Sequence, residues 1–213
     1  MNPKQGAADG VECMGAKKKG SAKSDGEKPQ VSTDRRTTSL LIDAARKEFQ
    51  QHGFGGTDTN KIARRAGFSP RTFYRWFEDK TAIFLAVYAA WVHEEFARLG
   101  ELSAQGASES AFVDVVIEHH RAYRIFRRSL RQLTVEDSQV RAARASSRLD
   151  QIERIKLRYK PLSLSTAKVS LFLLQYERLC DALADGEFSD LGVEESEVRR
   201  QLLRLYEDLR GSR

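Results

Sequence analysis

Residues Thr59–Phe77, TNKIARRAGFSPRTFYRWF, decide the fold of this chain. Ile62, Ala63 and Ala66 precede Gly67, and Phe68, Phe73 and Trp76 follow it, which is the apolar spacing that holds two short helices across a tight bend. A small side chain is needed at Ala63, where the second helix crosses the first closely. Gly67 sits where a helix ends in a left-handed conformation that costs glycine no Cβ clash. Ser69 then offers a hydroxyl N-cap, and Pro70 occupies the first helical position, where its missing N–H removes no bond. The second helix turns Phe73, Trp76 and Phe77 inward and leaves Arg71, Thr72, Tyr74 and Arg75 outward or oblique. Those four residues are placed to touch DNA, and the segment reads as a helix-turn-helix.

Charge supports that reading. The 213 residues carry a net charge of +6, with 40% hydrophobic content, enough for one or two small cores. Residues 1–33 hold six basic and four acidic side chains, residues 34–80 ten and six, and residues 81–213 twenty of each. The whole excess lies in the first 80 residues, as expected of a chain whose N-terminal part meets a polyphosphate. Cys13 lies in a polar stretch and Cys180 in an apolar one, which argues against a disulfide framework and fits a reducing cytoplasm. The longest apolar run, residues 82–92, is too short to span a bilayer, and the N-terminus lacks the apolar core of a signal peptide, so no membrane association is expected.

Three parts are expected along the chain. Residues 1–33 are rich in Lys, Gly, Ser and Ala and read as a disordered basic tail. Residues 34–80 form a three-helix head, with a first helix over Thr37–His52 on Leu41, Ala44, Ala45 and Phe49 and closed by Gly53. Thr57 or Asp58 caps the next helix, and Asp79 caps a long one from Lys80 to about Leu99. Residues 81–213 continue as helices over roughly 107–131, 136–159, 163–185 and 193–210. The fold class is therefore all-α, with a helix-turn-helix domain followed by a helical body. That body lacks a Gly-rich phosphate loop, paired carboxylates at working distance and a Ser/His/Asp or Cys/His set, so no enzymatic activity and no cofactor are expected.

In the order and spacing of Ile42, Ala44, Ala45, Phe49, Gly53, Phe54, Thr57, Ile62, Ala63, Ala66, Gly67, Ser69, Thr72, Phe73, Tyr74, Phe77 and Lys80, the chain resembles the tetracycline-repressor (TetR) family of bacterial transcription regulators. The resemblance covers about Thr37–Phe84. It implies a homodimer whose two heads enter successive major grooves of a near-palindromic double-stranded operator. It also implies a body that pairs the subunits and holds a small apolar or amphipathic effector, whose binding relieves repression. Thr59, Thr72, Tyr74 and Lys80 match phosphate-gripping positions, and Asn60, Pro70 and Arg71 match positions that face base edges. Arg71 stands where many relatives carry a small residue, and its guanidinium can pair bidentately with guanine. Trp76 and Asp58 depart from the family pattern.

Family position nominates Phe112, Val116, His119, Tyr123 and Phe126, with Leu174, Gln175 and Leu179 from a later helix, as ligand-cavity residues. Leu171, Phe172, Val198, Leu202, Leu205, Tyr206 and Leu209 are expected to include the seam between subunits. Arg121, Arg124, Arg128 and Arg131 share one helical face, read as a surface paired with acids rather than an anion grip. His119 and His120 are about 100° apart on a helix and cannot share one ion without distortion, so no metal is assigned.

Overall fold

The computed structural model describes residues 30–211, with the side chains of the first four left out. The expected tail therefore lies outside the described residues, apart from its last four positions, which belong to the first helix. The described residues form ten α-helices and one short 3-10 turn, and no strand appears among them.

The head is α1 (Gln30–His52), α2 (Thr59–Arg65) and α3 (Pro70–Trp76). The first helix starts about two turns earlier than its apolar pattern suggests, because that pattern marks only the buried part. The caps behave as their chemistry requires. Asp58 accepts from Lys61 N–H, Ser69 from Thr72 N–H and Asp79 from Ala82 N–H. Gly67 has φ +78°, and the Phe68 N–H bonds back to Ala63 O at 2.9 Å while the Gly67 N–H bonds to Arg64 O at 3.1 Å. This paired closure satisfies the carbonyls at the end of α2 and turns the chain into α3.

α4 (Lys80–Ala104) runs from the head into the body. Its first half buries Ile83, Phe84 and Val87 against Leu41, Phe49, Ile62 and Phe73. The same core continues into Tyr123, Phe126, Leu130 and Leu133, with the rings of Phe84 and Phe126 stacked at 4.6 Å. Head and body thus share one core across the expected boundary at residue 80.

The body comprises α5 (Glu109–Ala122), α6 (Arg124–Glu136), α7 (Ser138–Arg158), α8 (Thr166–Asp185), α9 (Glu187–Asp190) and α10 (Glu195–Arg210). The single helix expected over 107–131 is two helices, broken at Tyr123 (φ −107°, ψ 15°). Neither proline nor glycine signals that break. It is stabilised by tertiary contacts: the Tyr123 hydroxyl donates to Glu94 at 2.9 Å, and Arg46 donates to the same oxygen at 3.4 Å. The segment between α8 and α10, expected to be a loop, contains the short α9.

A second core joins Val113, Val116 and Ile117 of α5 to Tyr176 and Cys180 of α8 and to Val198 and Leu202 of α10. Cys180 is a buried free thiol. A methyl group at Gly67 would meet nothing within 4 Å, so Gly67→Ala isolates the cost of the left-handed backbone. Urea denaturation should show a loss of about 1–2 kcal/mol without a new clash.

Candidate nucleic-acid interface and ligand cavity

The outer surface of the head is built by α2 and α3. Asn60, Ser69, Pro70, Arg71, Tyr74 and Arg75 are exposed, and Thr59 and Thr72 are half-buried. The Thr59 and Tyr74 hydroxyls are 3.0 Å apart, and the Ser69 and Thr72 hydroxyls 3.1 Å apart, so each pair presents polar oxygens at the helix starts. Tyr74 is 56% exposed, although its ring still packs edge-on to Phe73. Arg71 has no hydrogen-bond or ion-pair partner among the described residues, leaving its guanidinium edge open for an acceptor. Arg75 lies over the half-buried Trp76 ring at 5.2 Å, and Trp76 packs on the head core.

Lys80 differs from the expectation of a free phosphate contact. Its ammonium donates to Phe54 O at 2.9 Å and Thr57 O at 3.0 Å and lies 4.0 Å from the Phe54 ring centroid. Burial lowers its pKa, with Asp58 opposing. Lys80 therefore clamps the α1–α2 connection to the start of α4, with one of three N–H donors left over. A second clamp is Arg65, paired with the buried Glu48 of α1 at 2.5 Å.

The body encloses a cavity of about 360 Å³, within the range of small-molecule sites. α4 contributes Tyr88, Trp91, Glu95 and Phe96, α5 contributes Phe112, Val116 and His120, and α6 contributes Arg127. α7 contributes Arg148, Gln151, Arg154, Ile155 and Arg158, while α8 and α10 add Phe172, Tyr176, Glu177, Tyr206 and Leu209. Of the eight residues nominated from sequence, Phe112 and Val116 line it.

The other six do not. His119 turns from the cavity and stacks on Trp91 at 5.3 Å, so its neighbour His120 is the lining residue. Tyr123 and Phe126 lie in the core shared with the head, because the break at Tyr123 rotates α6 away from the α5 face. Leu174 and Gln175 are exposed and Leu179 packs on the second core, since α8 aims Phe172, Leu173, Tyr176 and Glu177 inward instead. The set expected to include the seam is narrowed. Val198, Leu202 and Leu209 are buried within the chain, Phe172 and Tyr206 line the cavity, and Leu171 alone of that set is exposed.

At the inner end of the cavity lies a buried ionic network. Arg127, 2% exposed, donates to Asp181 at 2.5 Å and Glu177 at 2.6 Å and faces the Trp91 ring at 4.8 Å. Burial opposes its charge, but Glu177 and Asp181 outweigh that and make the guanidinium more basic than usual. Burial also disfavours the Glu177 carboxylate, yet Arg127, Arg148 and Arg144 hold its pKa down at about 2. His120 Nδ1 is 2.9 Å from Asp181 Oδ1. Burial and then Arg127 depress the His120 pKa to about 4, so the neutral ring donates to the ionised Asp181. Arg131 reaches Asp181 and Asp185, and Arg128 reaches Asp185, while Arg121 on α5 pairs with Glu118 and Glu195. Three of the four stripe arginines are thus paired with acids, largely from α8, while Arg124 is exposed with no acidic partner among the described residues. Glu95 is different: it has no hydrogen-bond or ion-pair partner within contact distance among the described residues, and burial raises its pKa to about 7 against the pull of Arg127.

Sequence reading missed Glu95, Arg127 and the α7 wall. Arg127 carried a signal, being four residues after Tyr123 and three before Leu130 on the inward stripe of α6. Glu95 and the α7 residues carried none, since a polar cavity wall and a solvated helix have the same pattern.

α2 and α3, joined at Gly67 with α3 outermost, form a helix-turn-helix head. Residues 41–87 match the profile of "Bacterial regulatory proteins, tetR family". It is 30% identical over 69 residues to the HTH-type transcriptional regulator YuxN of Bacillus subtilis, covering 32% of this chain and 24% of that one. It is 38% identical over 60 residues to the HTH-type regulator Rv1255c of Mycobacterium tuberculosis, covering 28% of each. These matches span only about a quarter of the relatives' length. The fold extends further. A Rhodococcus sp. structure described as a TetR-family regulator superposes with TM-score 0.62 at 16% identity, covering 82% of this chain and 98% of the other. A Marinobacter aquaeolei TetR-family regulator gives 0.52 at 17% identity, covering 84% and 98%. No described helix is long and apolar enough to cross a membrane.

Arg71→Ala should lose about 1–3 kcal/mol of discrimination at one base position, measured by titrating operators substituted at each site. Lys80→Met should lower thermal stability as well as affinity for all sequences, by about 1–3 kcal/mol for its charged hydrogen bonds.

The pH dependence of stability follows from three groups. His119, like His120, has its pKa depressed to about 4 from 6.5, chiefly by burial, so both bind protons more readily when unfolded. Their contribution is present at neutral pH and is lost as pH falls from 6.5 toward 4. Glu95 acts oppositely, losing stability as pH rises from 4.5 toward 7. Two histidines outweigh one carboxyl, so Tm should fall between about pH 6.5 and 5. Glu95→Gln should steepen that fall and His119→Phe should flatten it, as followed by circular dichroism.

Proposed function

We propose that this chain is a homodimeric, ligand-responsive repressor. Its heads read a near-palindromic operator, and a small apolar or amphipathic effector in the 360 Å³ cavity releases it. The carrying observation is that α4 and α6 belong to both ends. Phe84 and Phe126 are in the core under the DNA-facing helices, while Tyr88, Trp91 and Arg127 line the cavity. An occupant that favours one arrangement of these helices biases the spacing of two paired heads, provided it binds the DNA-competent and incompetent states unequally. Most of the affinity comes from phosphates gripped by Thr59, Thr72 and Tyr74, and sequence preference from Asn60, Pro70 and Arg71, so binding falls steeply with salt.

Pairing is supported by a separate surface. Leu171 and Leu174 of α8 are 59% and 56% exposed and share a face with Gln175 and Arg178 that points away from the cavity. Large apolar side chains exposed together on one helix face suit an isologous contact with a second copy. Leu171→Glu with Leu174→Glu should give a folded monomer by light scattering and weaken operator binding at least tenfold. A dimer that survives both changes would place the seam elsewhere.

The direct test is selection of bound sequences from random DNA at two salt concentrations. Recovery of an inverted repeat is expected. Binding that has no recoverable motif and merely fades with salt would refute the repressor reading.

A further inference from the structure

The cavity has two unlike ends. At the inner end, Arg127 and Arg148 are charge-paired with Glu177 and Asp181, although Arg127 Nη1 is buried without a hydrogen-bond partner. At the other, Arg154 and Arg158 line the cavity with no acidic partner among the described residues. Both lie on α7 four residues apart, hence on one face and about 6 Å apart along the axis. Arg154 lies over the Phe96 ring at 5.2 Å, and Arg158 over Phe112 at 5.4 Å and Tyr159 at 5.6 Å, all three rings lining the same cavity. A cation–π contact uses no N–H acceptor, and neither guanidinium has a hydrogen-bond or ion-pair partner among the described residues, so their N–H forks are open. Two forks are therefore held beside an apolar chamber with no protein acceptor in them.

The chamber behind them is long and apolar. From Arg148 to Arg158 the α7 wall rises roughly 15 Å, and aromatic side chains face it from α4, α5 and α8. Glu95, the one acid there without a salt-bridge partner among the described residues, is near Arg127 rather than at the mouth, so it does not neutralise the two forks.

We propose, building on the effector reading above, that the cavity takes an elongated amphipathic anion. Its oxyanion head, a carboxylate or phosphate monoester, sits between Arg154 and Arg158, and its apolar body runs inward past Phe96 and Phe112 toward Trp91. Guanidinium forks favour such heads because two parallel charge-assisted hydrogen bonds replace lost hydration. The rings supply the apolar contact that a hydrated anion alone would not use. An apolar cation would find Glu95 only after passing two arginines, and a neutral ligand would leave both forks empty.

The test uses the full chain and four probes of equal chain length: dodecanoate, dodecyl phosphate, dodecanol and dodecyltrimethylammonium. Binding is read from Trp91 fluorescence, because Trp91 lines the cavity while Trp76 belongs to the head. At least one anion should bind about ten- to a hundredfold tighter than dodecanol, and whichever anion wins identifies the head. Arg154→Ala with Arg158→Ala, both at exposed positions, should remove that preference by weakening the anion far more than dodecanol. Arg154→Lys with Arg158→Lys should restore part of it, and Leu157→Ala, an exposed control on the same turn, should change nothing. Equal binding of anion and alcohol, tighter binding of the ammonium probe, or no anion binding below about 1 mM would overturn the proposal. Operator selection run in parallel separates the two readings. An operator recovered without anion binding leaves the regulator and removes this ligand, whereas anion binding without an operator does the reverse.

Discussion

The guanidinium of Arg127 constrains the body more than any other group. A buried cation is costly unless its charge is met in place, and here Asp181 and Glu177, both from α8, meet the charge and bond Nε and Nη2, while Nη1 is buried without a hydrogen-bond partner. Arg144 and Arg148 of α7 then complete Glu177, while His120 of α5 and Arg131 complete Asp181. Four helices are thereby fixed in rotation about one cluster, with Trp91 of α4 facing the guanidinium as a fifth support. An apolar replacement set could be as stable, but it would not fix rotation as narrowly, since apolar contacts carry little direction.

That cluster also explains why the body has a chamber. Aromatic and charged side chains held by directional contacts cannot collapse freely into a close-packed core, so the space between α4, α5, α7 and α8 stays open. The head is the opposite case. Its core of Leu41, Phe49, Ile62, Phe73 and Phe84 contains no buried ion pair among its apolar members and fills by shape. Lys80, Arg65 and Tyr123 tie its edges to α1, α4 and the α5–α6 bend. A rigid reading head and a hollow body therefore meet along a shared aromatic seam, Phe49, Phe84 and Phe126.

The head was legible from sequence because its rules are local. Ser69, Pro70, Gly67 and Asp79 each act within four residues of their own position, and their caps and turn form as their side chains dictate. Exposure of Arg71, Tyr74 and Arg75 followed from helical periodicity once the inward face was fixed by Phe73. The body was legible only as a count of helices. Its break at Tyr123 depends on Glu94 and Arg46, 29 and 77 residues away, and no local signal encodes it. Missing that break assigned Tyr123 and Phe126 to the chamber, when they belong to the seam.

The sequence by itself thus determined an all-α chain with a capped helix-turn-helix, the identity of its outward side chains and the excess of positive charge near it. The tertiary structure decided which of two adjacent histidines faces the chamber and which α8 residues turn inward. It also decided that Lys80 is a clamp, and that the polar stripe of α7 is a cavity wall. The reason is one of range. Caps, turns and periodicity are set by neighbours along the chain, whereas the facing of a polar residue depends on partners that folding alone brings within hydrogen-bonding distance.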